Sequence, residues 1–376
     1  MFELLKLVQE HKWSDVLALM SEKHIKVKEK GNLAIFNYDI SCDFADPVVC
    51  EARGIILDKA EQKIVCRGFD KFFNFSEPYA AAIDWSTARV QEKIDGSIVK
   101  MYWHDNAWHW STNGMIDAED ASVADGLPVS NFMDIIAGCE NYQTIVSLQE
   151  TLNKDNTYIF ELVSPYTRIV VPYKTSMLYH IGTRSNVTGL ESKERLPIVC
   201  PKEYSLMTLD DCVRAVSELN NSDIRVDHEG FVVVDDQFRR IKIKSPEYVY
   251  LHHTLNNRVM TKGKILELID NEDFNVDAFL LEFPEYKEWF EYYRTHLTEV
   301  RQKLANSVEY ARHEYEASSG NRKVVWEKMQ TPEWRNVAFA GMMGVGNDRS
   351  IAELLQRIPV NKLYDMIPDL TADQIT

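Results

Sequence analysis

Between residues 33 and 244 the apolar positions come in short runs broken by turn residues. LAIFNY (33–38), GIILD (54–58), KIVCRGF (63–69), IVKMYW (98–103), YIFELV (158–163), MLYHIG (177–182), GFVVV (230–234) and RRIKIK (239–244) are rich in β-branched and aromatic residues, which predicts strands. Spacing pairs 54–58 with 63–69, and 230–234 with 239–244, as hairpins. Helical patches fall at 2–10 and 207–219. Hairpins with scattered helices predict an α+β fold with antiparallel sheets, not a regular βαβ alternation. After Ser245-Pro246 the period changes. Ser245 suits an N-cap and Pro246 a first helical position. Trp289, Tyr293, Leu297, Val300, Leu304, Val308 and Ala311 then recur every three or four residues, one face of a long helix over 285–315. TPEWRNVAFAGMM (331–343), SIAELLQRI (350–358) and KLYDMI (362–367) extend the helical texture. The expected organisation is therefore an α+β domain over 1–245 and an all-α domain over 246–376.

Composition narrows the class. The chain has 376 residues, 45% of them hydrophobic, enough to bury a core. Six cysteines are scattered without a Cys-x-x-Cys pair, which argues against a zinc ribbon or disulfide framework and for a reducing compartment. No apolar run approaches the roughly 20 residues that cross a bilayer. The opening MFELLKLVQEHKWSD is charged throughout and lacks a cleavage site, so a cytoplasmic location without a membrane partner is expected. The net charge of −16 disfavours general phosphate-backbone binding. A nucleic acid would have to meet a local groove of cations.

The stretch QEKIDGSIVK (91–100) raises the chemical question. In one reading Asp95-Gly96 is a hairpin turn and Lys93 a solvated side chain. In the other the turn holds Lys93 as a nucleophile. An amine is protonated at neutral pH and must first be made neutral, which nearby cations favour. The chain offers them. Lys242 and Lys244, two apart on a strand, share a face. Glu229 precedes Gly230 and an apolar strand. Glu161 sits inside an apolar run, where a lone charge wants a partner. Arg53 precedes Gly54, and Lys71 precedes Phe72 and Phe73. Each has an ordinary reading too. The two lysines could form a solvated edge strand, Glu161 could pair with Arg168, the glycine pairs could be turns, and Phe72, Phe73 and Phe75 could be core. WHDNAWHW (103–110) reads as a hairpin with Asp105-Asn106 at its turn, not as a metal site. His252-His253 reads as a surface or packed pair.

Taken together and in order, these residues resemble the covalent nucleotidyltransferase superfamily of nucleic-acid ligases and capping enzymes. KIDGS matches its Lys-x-Asp-Gly motif, FELVSP its third motif, HEGFVVV its fourth and IKIKS its fifth. EARGIILD and DKFFNFSE upstream of the lysine, ELVSPYTRIV and a helical C-terminal region look like the phage RNA ligase 1 family, the tRNA-repair type. The resemblance implies a nucleotidyltransferase (ATP-grasp-like ligase) domain followed by a helical RNA-specificity domain. It implies that Lys93 attacks ATP, carries AMP and passes it to an RNA 5′-phosphate before a 3′-hydroxyl seals the strand. It further implies that the Glu92 backbone reads adenine, Glu161 holds the ribose and Glu229 orders a hydrated Mg2+ (or Mn2+). Lys242 and Lys244 neutralise the α-phosphate, while Arg53 and Lys71 grip the outer phosphates. Phe73 and Gly96 complete the nucleotide contacts, Gly96 by letting the backbone approach closely. Tyr248 would stand beside the metal shell, with Asp273 at a second metal. The implied partners are a single-stranded RNA or a tRNA nicked in its anticodon loop, and a polynucleotide kinase/phosphatase acting upstream. A phage origin and a host-cytoplasm location follow from the same likeness. One position departs: where the family usually has Lys or Arg before a glycine, STNG places Asn113, which implies a weaker contact there. Two other readings stand beside it. A DNA ligase or capping enzyme would usually carry a β-rich barrel where this chain turns helical. A catalytically weak RNA-binding relative would usually have lost the lysine or a carboxylate.

Overall fold

The computed structural model describes residues 2–39, 41–124, 127–219, 226–246, 248–249, 251, 261–271, 276–329, 358 and 360–370. The chain falls into two compact units, Met1–His253 and Thr254–Thr376.

The first unit is built on three sheets. The first has the order β1 (Ile25–Lys30), β2 (Leu33–Tyr38), β3 (Arg53–Asp58), β4 (Lys63–Cys66), all antiparallel. The helices α1 (Glu3–Glu10), α2 (Trp13–Glu22) and α3 (Pro47–Glu51) cover one face, sharing a core that includes Leu4, Val16, Met20, Phe36 and Ile55. The second sheet runs β11 (Glu191–Ser192), β10 (Met177–Ser185), β9 (Asn156–Val163), β7 (Ser97–His104), β8 (Ala107–Thr112). Its core, with Val99, Met101, Phe160 and Leu178, is closed by α4 (Phe132–Ala137) and α5 (Tyr142–Leu148). The third runs β12 (Glu203–Tyr204), β6 (Arg89–Glu92), β13 (Gly230–Val234), β14 (Arg240–Lys244), β5 (Phe73–Asn74), the last pair parallel. The helix α6 (Leu209–Glu218) packs on it through Cys212 and Val216.

The expected hairpins form, with Gly230 opposite Lys244 and Leu57 opposite Ile64. Asp105 and Asn106 turn β7 into β8, both with positive φ, where short polar side chains are tolerated. The segment 93–96 is different. β6 and β7 lie in different sheets, so KIDG is no hairpin turn but a crossover between them. The hairpin reading of Asp95-Gly96 is thereby corrected. Ser245 does cap a helix: its Oγ accepts from the Tyr248 amide at 3.0 Å.

The second unit is helical where described, with α7 (Lys262–Asp270), α8 (Val276–Glu282), the 31-residue α9 (Lys287–Ala317) and α10 (Arg322–Lys328). The buried stripe of α9 is Phe290, Tyr293, Leu297, Val300, Leu304, Val308 and Ala311. Phe290 takes the place expected of Trp289, which is only partly covered. KLYDMI forms short 3-10 turns. The expected helices over 331–343 and nearly all of 350–358 lie outside the described residues, as do His252, His253 and Asp273.

Candidate active site

A cavity of about 320 Å³ opens between the second and third sheets, walled also by the segment after β4. Its charged lining is Arg53, Lys93, Arg240, Lys242 and Lys244 against Glu92 and Glu161, with Glu229 behind the lysines it pairs with. The local surplus of cations is what an anionic ligand needs, in a chain whose overall charge would repel one.

Strand register assembles it. Phe231 faces Glu92 across β13 and β6, so the next residue of one strand and the preceding residue of the other meet. The Lys93 amide donates to the Gly230 carbonyl at 2.8 Å, and the Lys93 amine reaches Glu229 Oε2 at 2.6 Å. Gly230 opposite Lys244 brings the Lys244 amine to Glu229 Oε1 at 2.8 Å. Gly230 has φ +140°, and a Cβ there would collide with the Ile243 carbonyl, so glycine is required. On the other wall, β9 sets Glu161 opposite Ile98 and Tyr179. A Cβ on Gly96 would strike the Leu162 backbone, so the crossover passes Glu161 as closely as a glycine allows.

Asp95 bolts this crossover down. Its Oδ2 accepts from the Val170 and Val171 amides at 2.8 and 2.7 Å, and its Oδ1 from the Tyr248 hydroxyl at 2.8 Å. The sequence reading missed that role because an Asp before Gly looks like a turn residue. Tyr248, the residue expected beside a metal, makes this bond through its hydroxyl. Glu92 lines the cavity; its amide is taken by the Lys202 carbonyl at 2.8 Å and its carboxylate lies 3.2 Å from His228.

Lys71 and Phe73 stand apart from the main cavity. They line a neighbouring cleft of about 210 Å³ that shares Phe69, Phe72 and Arg240 with it. The Lys71 amine sits over the rings of Phe44, Tyr38 and Phe73 at 4.8, 5.2 and 5.4 Å. The aromatic residues that line the main cavity are Phe69 and Phe72, the latter with the Arg53 guanidinium 5.1 Å from its centroid.

Electrostatics overturns one expectation. Burial works against the Lys93 ammonium, but Glu229 and Glu161, with Asp95 behind them, outweigh it and hold the amine above its ordinary range. Lys93 is thus a protonated partner of Glu229 and not an amine kept neutral by cations. The repelled amine is Lys242: burial, then Lys71, Lys93, Lys244 and Arg53, push it down to about 7. Burial also pushes the Glu161 carboxyl up to about 7 against the pull of Lys93. Burial opposes the Glu229 carboxylate, yet Lys93 and Lys244 keep it below its usual range.

Among the described residues no cluster of three or more His, Cys, Asp or Glu side chains converges on a point. Both Glu229 oxygens are engaged by amines. A divalent cation bound here would have Glu229 as its carboxylate once a lysine releases it, and would take its other ligands from water or a bound anion, not from an all-protein cage.

The fold thus presents a crossover lysine and paired strand lysines in one cleft. The RNA ligase family, of the phage RNA ligase 1 type, matches residues 51–248, and the chain belongs to it. It is 32% identical over 281 residues to a protein of Autographa californica nuclear polyhedrosis virus named as a bifunctional polynucleotide kinase/RNA ligase, covering 70% of this chain and 39% of that protein. It is 28% identical over 352 residues to an RNA ligase of Rhodothermus phage RM378, covering 77% of this chain and 78% of the relative. The chain thus spans well under half of the viral protein and most of the phage one. An archaeal ATP-dependent RNA ligase structure overlays with a TM-score of 0.45 at 13% identity, over 77% of this chain and 73% of that one, too loosely to carry an argument.

Proposed function

We propose that this chain is an ATP-dependent RNA ligase in which Lys93 carries AMP. The observation that supports the reading most is the Lys93–Glu229–Lys244 triad, whose two lysines line a cation-rich cavity. Lys93 Nζ, once deprotonated, bonds to the α-phosphorus of ATP as the bond from that phosphorus to the bridging oxygen breaks and pyrophosphate leaves. An oxygen of an RNA 5′-phosphate next displaces the lysine. A 3′-hydroxyl then displaces AMP and joins the strand.

The resting ion pair explains how attack is held in check. While Glu229 faces Lys93, the amine is an ammonium and inert. When Glu229 turns to another cation, the largest pull on the ammonium is gone, and burial and the remaining lysines favour the neutral form against Glu161 and Asp95. Glu229 would be the carboxylate that holds a divalent cation, which would supply charge neutralisation on the phosphates when bound. Lys242 and Lys244 lie on the strand that faces the nucleophile and fit the α-phosphate. Arg53 fits the outer phosphates, Glu161 the ribose, and the Glu92 backbone the base.

We assign residues 1–245 to adenylyl transfer and 246–376 to choosing the RNA by shape. A tRNA broken in its anticodon loop is the proposed substrate, prepared by an end-healing kinase/phosphatase; the printed name of the viral relative supports that pairing of activities. No helix among the described residues is long and apolar enough to cross a membrane, and a cytoplasmic site of action is proposed.

The test is incubation with magnesium, α-labelled ATP and a tRNA nicked in its anticodon loop. Label should appear on the wild-type protein and product should be resealed. Lys93→Ala should show neither, and label persisting on that variant would assign the nucleophile elsewhere.

A further inference from the structure

Lys71 and Phe73 line a cleft of about 210 Å³ beside the cavity that fits ATP, with Phe72, Tyr79 and Phe238 as further aromatic walls. Tyr79 is 49% exposed. Its ring leans on Phe73, 5.5 Å between centres and tilted by 51°, and its other surface lies open. Asp70 and Glu191 also border the cleft, but both are already paired. Asp70 meets Arg67 at 3.1 Å and Arg184 at 3.0 Å, and Glu191 meets Arg240 at 2.6 Å. Among the described residues no carboxylate pairs with the Lys71 amine, which stands over Tyr38, Phe44 and Phe73. The cleft therefore offers open aromatic surface beside an ammonium that has no acid among those residues. A single-stranded nucleic acid matches that combination, since its bases stack on rings and its backbone meets cations.

The geometry of phosphoryl transfer places the cleft along the reaction path. Attacking and leaving groups stand in line on opposite sides of the phosphorus. Pyrophosphate leaves on the side away from Lys93. The RNA phosphate oxygen then bonds to the same phosphorus as the bond to Lys93 Nζ breaks, so it arrives on the side that pyrophosphate left. That side is marked by Lys242 and Arg53, the cations that fit the α-phosphate and the outer phosphates. Both stand over Phe72, at 5.4 and 5.1 Å from its ring centre. Phe72 lines cavity and cleft alike. The cleft thus adjoins the path of the incoming 5′-phosphate.

We propose that this cleft seats the first nucleobase of the RNA strand that carries the 5′-phosphate, with Tyr79 as the stacking ring and Lys71 as a cation for that strand's backbone. The inference rests on the ligase reading of the main cavity. Every base has a π-face, so the cleft registers that a base is present and not which base it is.

The test is a cycle between protein and RNA on the full chain. Single-stranded RNAs with a 5′-phosphate are made intact, abasic at the first nucleotide, or abasic at the last. Fluorescence anisotropy reads Kd for wild type and Tyr79→Ala. Loss of the first base should weaken wild-type binding about tenfold and Tyr79→Ala binding hardly at all. Loss of the last base should cost both proteins alike. Tyr79→Phe keeps the ring and should behave as wild type does. Should Tyr79→Ala fail to fold, Tyr79→Leu keeps apolar bulk and removes the stacking face. The proposal is overturned if losing the first base costs wild type and variant equally, or costs neither, or if the coupling belongs to the last nucleotide. A wild type that takes label from ATP but binds none of the RNAs overturns the cleft alone. A wild type that takes no label overturns the ligase reading and leaves the Kd cycle to decide the cleft.

Discussion

Replacing Lys242 by Met should stabilise the free protein while destroying its grip on nucleotide. Burial first, then Lys71, Lys93, Lys244 and Arg53, bring this amine from 10.5 down to about 7. The sign follows from linkage. With the folded value depressed, the unfolded chain binds more protons between about 7 and 10.5, so stability rises with pH across that window. Below pH 7 the fold bears the full cost of the ammonium. At about 1.4 kcal/mol per pKa unit the ceiling on that cost is about 5 kcal/mol, and partial solvation of the amine trims it to about 2–3 kcal/mol. Methionine keeps an aliphatic stem beside Phe72, whose ring centre lies 5.4 Å from the amine, and removes the charge. Urea titrations of both proteins at about pH 6 and about pH 8.5 should therefore show the variant with the higher midpoint, by a wider margin at the lower pH. Adding ATP at a hundred times its Kd should stabilise wild type by about 2.7 kcal/mol and the variant hardly at all. A variant less stable than wild type at pH 6, or one whose advantage ignores pH, would refute the view that this cluster stores repulsion for an anion to relieve.

Two more outcomes follow from the same geometry. At about pH 8 Lys242 is largely neutral in the free protein, and phosphates draw its pKa upward; ATP binding should take up a proton, seen as a buffer-dependent binding enthalpy that Lys242→Met abolishes. Tyr248→Phe removes the 2.8 Å hydrogen bond to Asp95 and leaves the two amides to hold it; we expect a loss of about 1–2 kcal/mol by chemical denaturation and slower adenylylation, and unchanged values for both would deny the bolt.

Strand and helix types were legible because they depend on local pattern. GFVVV is an inner strand, paired along its edges by β6 and β14 and buried at nearly every position, and RRIKIK alternates, turning Lys242 and Lys244 to one side. The motif residues were legible for a similar reason: a strand lysine two from another, or a Glu before a required glycine, carries its geometry in its spacing. What spacing does not carry is which of these residues meet. Lys93 and Glu229 are 136 positions apart, and the pairing of β6 with β13 joins them. The sign of the Lys93 perturbation was misread on that account, since the chain shows cations and carboxylates without showing which stand closer.

The sequence by itself determined the α+β texture of the first part, the helical texture after Ser245, and the set of side chains available for phosphate chemistry. Tertiary structure alone decided that Lys93 rests on Glu229, that Lys242 bears the repulsion, and that Asp95 is a bolt and not a turn. Local periodicity is set by neighbours in the chain, whereas a pKa depends on distance and burial in space. Those distances exist only once separate strands are laid side by side.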